Sequence, residues 1–245
     1  MDIKPACFSG HCASFKKIIL AVSLFSLILA CAPKRVIPTR LQLPVGSEIY
    51  LRGLKLSEAE AISGPLPAGA QTILRLENGA LFIQADMDID TDGSPRATSL
   101  DPQFGQLQTS LRYPGIEGQS QFIDSETIPY FVLPLGFAEE HGLELGDIGV
   151  VIYMGRHSFA IYADNGPVGK IGEGSIQLAR QLGHTPWVYW LGNETFSTHG
   201  AICETEVVYV VFPGTKPTEL TPDTINKMIT RVGASAFQSQ GGRIP

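Results

Sequence analysis

Two carboxylates, Asp164 and Glu173, stand nine positions apart in the segment Tyr162–Ser175, YADNGPVGKIGEGS. A pair of carboxyl groups is what the hydrolysis of a glycosidic bond commonly uses. One gives a proton to the leaving oxygen and the other activates water or attacks. The acid of such a pair must stay protonated near neutral pH, which burial or a neighbouring carboxylate can arrange. Gly166, Pro167, Gly169, Gly172 and Gly174 lie around and between the two acids, and glycine lets a polymer come close to the backbone. On spacing alone a second reading stays open, a solvated surface turn.

A second acidic run stands upstream. In DMDIDTDG, Asp86, Asp88, Asp90 and Asp92 alternate with other residues. Alternate residues of a strand face the same way, so the four carboxylates are expected along one face or edge. Such a row provides subsites for a cationic substrate. From Asp88 the run also matches the first half of an EF-hand-type loop, with oxygens at the first, third and fifth positions and Gly93 at the sixth. The twelfth position is Ser99 rather than Glu, and the flank reads as a strand. The expectation is therefore no cofactor, with calcium at Asp88, Asp90 and Asp92 as the lesser alternative. Tyr113 in LRYPG and Trp187 and Tyr189 in HTPWVYW are candidate walls for sugar rings, since aromatic faces stack on them; core positions explain them as well. His141, His157, His184 and His199 show no metal-ligand spacing.

The elements that must position these groups are mostly strands. TILRLENGALFIQADMDID reads as two strands around an Asn78-Gly79 turn, TIPYFVLPL as a buried strand, and IGVVIYMGRHSFAIYAD as a hairpin with Gly155 in its turn. TEVVYVVFPG is the last strand. GSIQLARQLG predicts a helix capped by Ser175, and TPDTINKMITRVGASAF a second with Thr221 as N-cap and Pro222 at its first position. The fold class expected is mainly β, barrel-like, with peripheral α-helices.

With these elements in order, the chain resembles the chitosanases of glycoside hydrolase family 75. The resemblance rests on ADMDIDTDG, TIPYFVLP, GLELGDIGVVIYMGRHSFAIYADNGPVGKIGEGSIQLARQLG and VVYVVFPGT. It covers residues 47–240, most specifically 145–183. It implies that Asp164 and Glu173 are the catalytic carboxylates. It also implies an endo-acting hydrolase that cleaves β-1,4 bonds of chitosan, a glucosamine polycation, with inversion. For inversion the two carboxyls stand about 6.5–9.5 Å apart. ADNGPVGKIG is in addition similar to the Asp-x-Gly turn of double-psi β-barrels, including murein lytic transglycosylases. That likeness implies a double-psi-like barrel with Asp164 as acid and Glu173 as base. Fungal members often carry a Cys where this chain has Thr91. Two other functions stay in view: cleavage of peptidoglycan glycan, and a non-catalytic surface lipoprotein that binds polysaccharide or calcium.

The N-terminus reads as a targeting segment. Lys16 and Lys17 precede an apolar run and ILAC, a lipobox-like ending at Cys31. The expectation is a lipoprotein signal peptide over 1–30, lipidation at Cys31, a Pro-containing tether over 31–47 and a hydrolase domain over 48–245. The place expected is a bacterial cell envelope, lipid-anchored (at the outer membrane if Gram-negative), or the extracellular space. The whole chain carries a net charge of −6, and loss of residues 1–30 leaves −8. That balance excludes a phosphate-binding surface and hence nucleic acid as partner. It suits a cationic polysaccharide. Only Cys203 would remain as a free thiol, so no internal disulfide can form, and the protein is expected to be a monomer.

Overall fold

The computed structural model describes residues 41–245 apart from 186, 191–192 and 197–201, and the backbone alone at 187–190, 193–195 and 203–204. The segment expected to be a signal peptide and the expected lipidation site Cys31 lie outside the described residues. The strands are β1 Glu60–Ala61, β2 Ala70–Arg75, β3 Leu81–Asp90, β4 Tyr130–Pro134, β5 Ile148–Tyr153, β6 Arg156–Gly166, β7 Glu173–Ser175, β8 Trp187–Trp190, β9 Asn193–Phe196 and β10 Ile202–Phe212. The helices are α1 Glu48–Leu51, α2 Ala97–Leu100, α3 Phe137–His141, α4 Ile176–Gln181 and α5 Ile225–Ser239. Among the described residues no helix is long and apolar enough to cross a membrane.

Six strands close a β-barrel with the helices outside it. Around the ring, β3–β10, β10–β5 and β5–β6 pair antiparallel, β6–β4 parallel, β4–β7 antiparallel and β7–β3 parallel. The first half of β3 borders β2, and its last three residues border β7. Strands such as IGVVIY in β5 are buried on both faces, which accounts for their continuous apolar sequence. The inner face is identified by contacts that cross the ring. Phe131 on β4 stacks on Tyr162 of neighbouring β6 at 5.9 Å, and also meets Tyr209 of β10, not a neighbour, edge-on at 6.4 Å. Met87, Ala160, Val151 and Val211 share this interior, and Ile176 and Leu178 of α4, with Leu182 at its C-cap, pack onto it.

The outer face of β5, β6 and β10 carries a second core, covered by α5. Gly233 of α5 lies so close to Phe159 that a Cβ would come within 2.5 Å of its ring. Glycine inside a helix costs about 0.5–1 kcal/mol, which the close approach to β6 offsets. Leu41 and Leu43, at the end of the segment read as a tether, also pack against this core.

Ser175 caps α4, its Oγ accepting from the Leu178 amide at 3.0 Å. The last helix differs from expectation, starting at Ile225 with Thr224 as N-cap. The Thr221 carbonyl accepts from the amides of both Thr224 and Ile225, so Pro222 falls in a hydrogen-bonded turn leading into the helix.

Candidate active site

The motif acids reach one place because strands distant in sequence are neighbours in the ring. Val132 of β4 pairs with Asp164 on one side and with Glu173 on the other. Glu173 pairs in turn with Asp88. A single row thus crosses the sheet in the order Asp88, Glu173, Val132, Asp164. Two strand spacings separate the backbones of Asp164 and Glu173, about 9.5 Å.

A β-bulge decides where Asp164 points. Alternation from Tyr162, which faces the barrel interior, would send residue 164 inward as well. The β4–β6 register instead shifts from Phe131↔Tyr162 to Val132↔Asp164, so one extra residue, Ala163, is accommodated on β6. This turns Asp164 onto the outer face beside Val132. The Ala163 carbonyl accepts from the Leu111 amide at 2.9 Å, which brings Ser110 alongside. Ser110 donates to Asp164 Oδ1 from both its hydroxyl, at 2.6 Å, and its amide, at 3.0 Å. The Asn165 amide donates to the same oxygen at 2.8 Å.

Asp164 is buried. Burial pushes its carboxyl above the ordinary range, the three donors on Oδ1 pull it down, and the charge of Glu173 adds to the rise. Glu173 has a different environment. Lys170 donates to Glu173 Oε1 at 2.6 Å and to Asp88 Oδ2 at 2.9 Å. Burial pulls the Lys170 ammonium down, but these two carboxylates outweigh it and hold it above its ordinary value. One acid is therefore enclosed among other acids, and the other is tied to a cation.

The cleft around them has a volume of about 580 Å³. Among the described residues its lining contains six carboxyl residues, Asp88, Asp90, Asp92, Asp101, Asp164 and Glu173, against one cation, Lys170. Oxygens of Asp90, Asp92 and Asp164 lie within 4.8 Å of one another. Burial drives Asp90 well above the carboxylate range, and the charges of Asp92 and Asp164 add to this. Burial likewise raises Asp92 to about 7 against a hydrogen bond from the Gln106 amide. Burial first, and the proximity of like charges after it, make this trio retain protons which isolated carboxylates would lose.

The aspartate row is split by the fold. Asp88, Asp90 and Asp92 line the cleft; Asp86 does not. It lies under the glycines of the motif, where a Cβ on Gly172 would meet Asp86 Oδ1 at 2.1 Å and one on Gly69 at 2.6 Å. Tyr113 packs in the outer core. Trp187 and Tyr189 belong to β8, paired with β9, and their side chains lie outside the described residues. The grouping considered for calcium also changes: Asp88 is engaged by Lys170, and Asp164 takes its place beside Asp90 and Asp92.

Sequence reading did not single out Lys170, Phe104 and Asp101, which line the cleft, or Ser110, which holds Asp164. Lys170 sits inside the motif, three residues before Glu173, and that spacing was the available signal. Ser110 is 54 residues from Asp164, and only the fold joins them. Phe104 is exposed on the cleft wall. Its loop is held by Asp101 Oδ1, which accepts from the amides of Gln103 and Phe104, and by Asp92, which accepts from Gln106.

The model of the fungal chitosanases of glycosyl hydrolase group 75 matches residues 87–240, more than half of the chain. The chain belongs to this family. It is a glycoside hydrolase on that ground, and the group-75 match spans every cleft residue named above. Comparison with curated proteins yields no match.

Proposed function

We propose that the protein is an endo-acting chitosanase that cleaves β-1,4-glucosaminide bonds with inversion, Asp164 serving as acid and Glu173 as base. The observation that carries this reading is the row Glu173–Val132–Asp164 on the floor of a cleft lined by six carboxyls and one lysine. Two carboxyls separated by one intervening strand leave room for water between base and sugar, the arrangement inversion needs. The surplus of acids suits a chain of glucosamine ammonium groups.

The assignment of roles follows from the surroundings. Asp164 Oδ1 is occupied by three donors, so the proton belongs on Oδ2. Burial favours keeping it there. Lys170 donates to Glu173 Oε1 at 2.6 Å, which fixes the position of the carboxylate assigned as base. In the reaction, a water oxygen forms the new bond to the anomeric carbon while Glu173 takes one of its protons. The bond from the anomeric carbon to the glycosidic oxygen breaks, and that oxygen receives the Asp164 proton. The products are an α-configured hemiacetal and a free 4-hydroxyl. Return of the proton from Glu173 to Asp164 through solvent completes the cycle.

In the same reading the protein is carried on a bacterial envelope by a lipid on Cys31, needs no cofactor and works as a monomer. The experiment is release of reducing ends from soluble chitosan by the wild type, Asp164→Asn and Glu173→Gln, with purified murein as the second substrate. The reading requires turnover of chitosan by the wild type alone. Turnover of murein only, or binding of chitosan without turnover, would replace it.

A further inference from the structure

Three exposed apolar side chains stand at the end of the barrel opposite the cleft: Val45 at 76%, Met154 at 62% and Ile49 at 50% exposure. Met154 lies in the turn that joins β5 to β6. Asp164 follows Arg156 by eight residues on β6, about 25 Å at the strand rise. Among the described residues Met154 is the one non-glycine with positive φ, 44°, a conformation that Gly or Asn adopts with less strain. A polar turn residue would fit this backbone better, yet an exposed methionine occupies it. The other two side chains are brought to the same turn. A Cβ on Gly46 would stand 2.5 Å from the Gly155 amide nitrogen, and the Tyr50 hydroxyl donates to the Gly155 carbonyl at 2.7 Å. Val45 and Ile49 adjoin Gly46 and Tyr50 in the chain. Leu41 and Leu43 pack against the outer core, so the domain begins beside this patch. Cys31 precedes Leu41 by ten positions, a length that spans at most about 35 Å. Charge also separates the two ends. Glu48, Arg52 and Arg156, exposed beside the patch, sum to +1, whereas the cleft sets six carboxyls against Lys170. Anionic headgroups are repelled at the cleft and not at the patch.

We infer that Val45, Ile49 and Met154 form the face on which the domain rests against a lipid bilayer, so that the cleft opens away from the membrane. The inference rests on the proposed lipid at Cys31 and adds the orientation of the anchored domain. The lipid keeps the domain near the bilayer, and the three apolar side chains enter the boundary between headgroups and acyl chains. Exposed apolar side chains occur at the cleft end too, Val168 at 79% and Leu135 at 57%. Val168 stands between Asp164 and Glu173 in the motif, and the Leu135 amide donates to the Gly166 carbonyl on the cleft wall. These two stay in water in the orientation inferred.

The test uses the full chain, expressed in a bacterial host and reconstituted in vesicles of phosphatidylethanolamine and phosphatidylglycerol. A Cys203→Ser background leaves one thiol for a nitrobenzoxadiazole probe, introduced by Met154→Cys, Ile49→Cys or Val168→Cys. Lipids brominated on their acyl chains then quench the probes that reach them. Quenching is expected to be at least about threefold stronger at residues 154 and 49 than at residue 168. Residue 49 lies outside the strained turn, so the result does not depend on how a substitution at Met154 is tolerated. Quenching at residue 168 equal to or above that at 154 and 49, or none at any of the three, overturns the inference. Incorporation of labelled palmitate by the wild type and not by Cys31→Ala is read in parallel. A wild type that incorporates none removes the proposed lipid, and the inference with it, whereas a lipidated chain with unquenched probes overturns the inference alone.

Discussion

Lys170 and Phe104 are the residues through which the cleft differs from a plain carboxylate pair. Lys170 bridges Glu173 and Asp88 across neighbouring strands. Replacing it with Gln leaves two acids facing each other and frees the Glu173 side chain to rotate. The expected outcome for Lys170→Gln is a drop in kcat of up to about 100-fold, with KM unchanged or lower, since the cleft becomes more acidic. Steady-state kinetics on chitosan oligomers read this directly. Phe104 is 59% exposed at the cleft wall, and its loop is fixed by Asp92 and Asp101. An aromatic face against a sugar ring contributes on the order of 1 kcal/mol. Phe104→Ala is therefore expected to raise KM roughly 5- to 10-fold with little change in kcat, and Phe104→Trp to restore it. An unchanged KM would remove Phe104 from the substrate path.

At the scale of elements, the site depends on how β7 and α4 are joined. Ser175 Oγ accepts from the amides of Leu178 and Tyr130 and donates to the Ile128 carbonyl, all in the buried interior. Its removal deletes an N-cap and strands two further backbone groups. Ser175→Ala is expected to cost about 3 kcal/mol, combining cap loss with unsatisfied buried groups. Urea unfolding measures it, and a cost below about 1 kcal/mol would contradict the role. This cap was legible in the sequence, because Ser175 stood before an apolar helical period. The hairpins at Gly79 and Gly155 were legible from local turn chemistry, as were Asp164 and Glu173 as neighbours on one glycine-rich motif. Their separation across Val132 was not. It depends on two pairings of β4, parallel with β6 and antiparallel with β7, between segments far apart in the chain, and on a bulge at Ala163 that a period-2 reading cannot anticipate. Asp86 left the aspartate row for a related reason. Strand alternation puts it on the same face, but the turn of Gly69 and Gly172 covers that part of the face.

For the molecule as a whole, the cleft's acids set a balance between function and stability. Asp90, Asp92 and Asp164 have carboxyls raised above their unfolded values, chiefly by burial. The folded chain then holds protons that the unfolded chain has lost, so stability is greatest below about pH 4 with respect to these groups and falls as pH rises through their folded values. For Asp92 the window runs from the ordinary aspartate range to about 7. The expected result is that the increase in Tm caused by Asp92→Asn is larger at pH 8 than at pH 4. An equal effect at both pH values would contradict the account. The same electrostatic crowding gives the cleft its surplus of acids over cations, which the proposed cationic substrate would relieve on binding.

The most direct test of the central claim is the anomeric form of the first product. Proton NMR of a glucosamine oligomer digest, followed from the first minutes, distinguishes the two anomers before they equilibrate. The account predicts that the α-anomer appears first with the wild type, and that neither Asp164→Asn nor Glu173→Gln forms product at a comparable rate. Initial release of the β-anomer, or turnover that survives both substitutions, would contradict it.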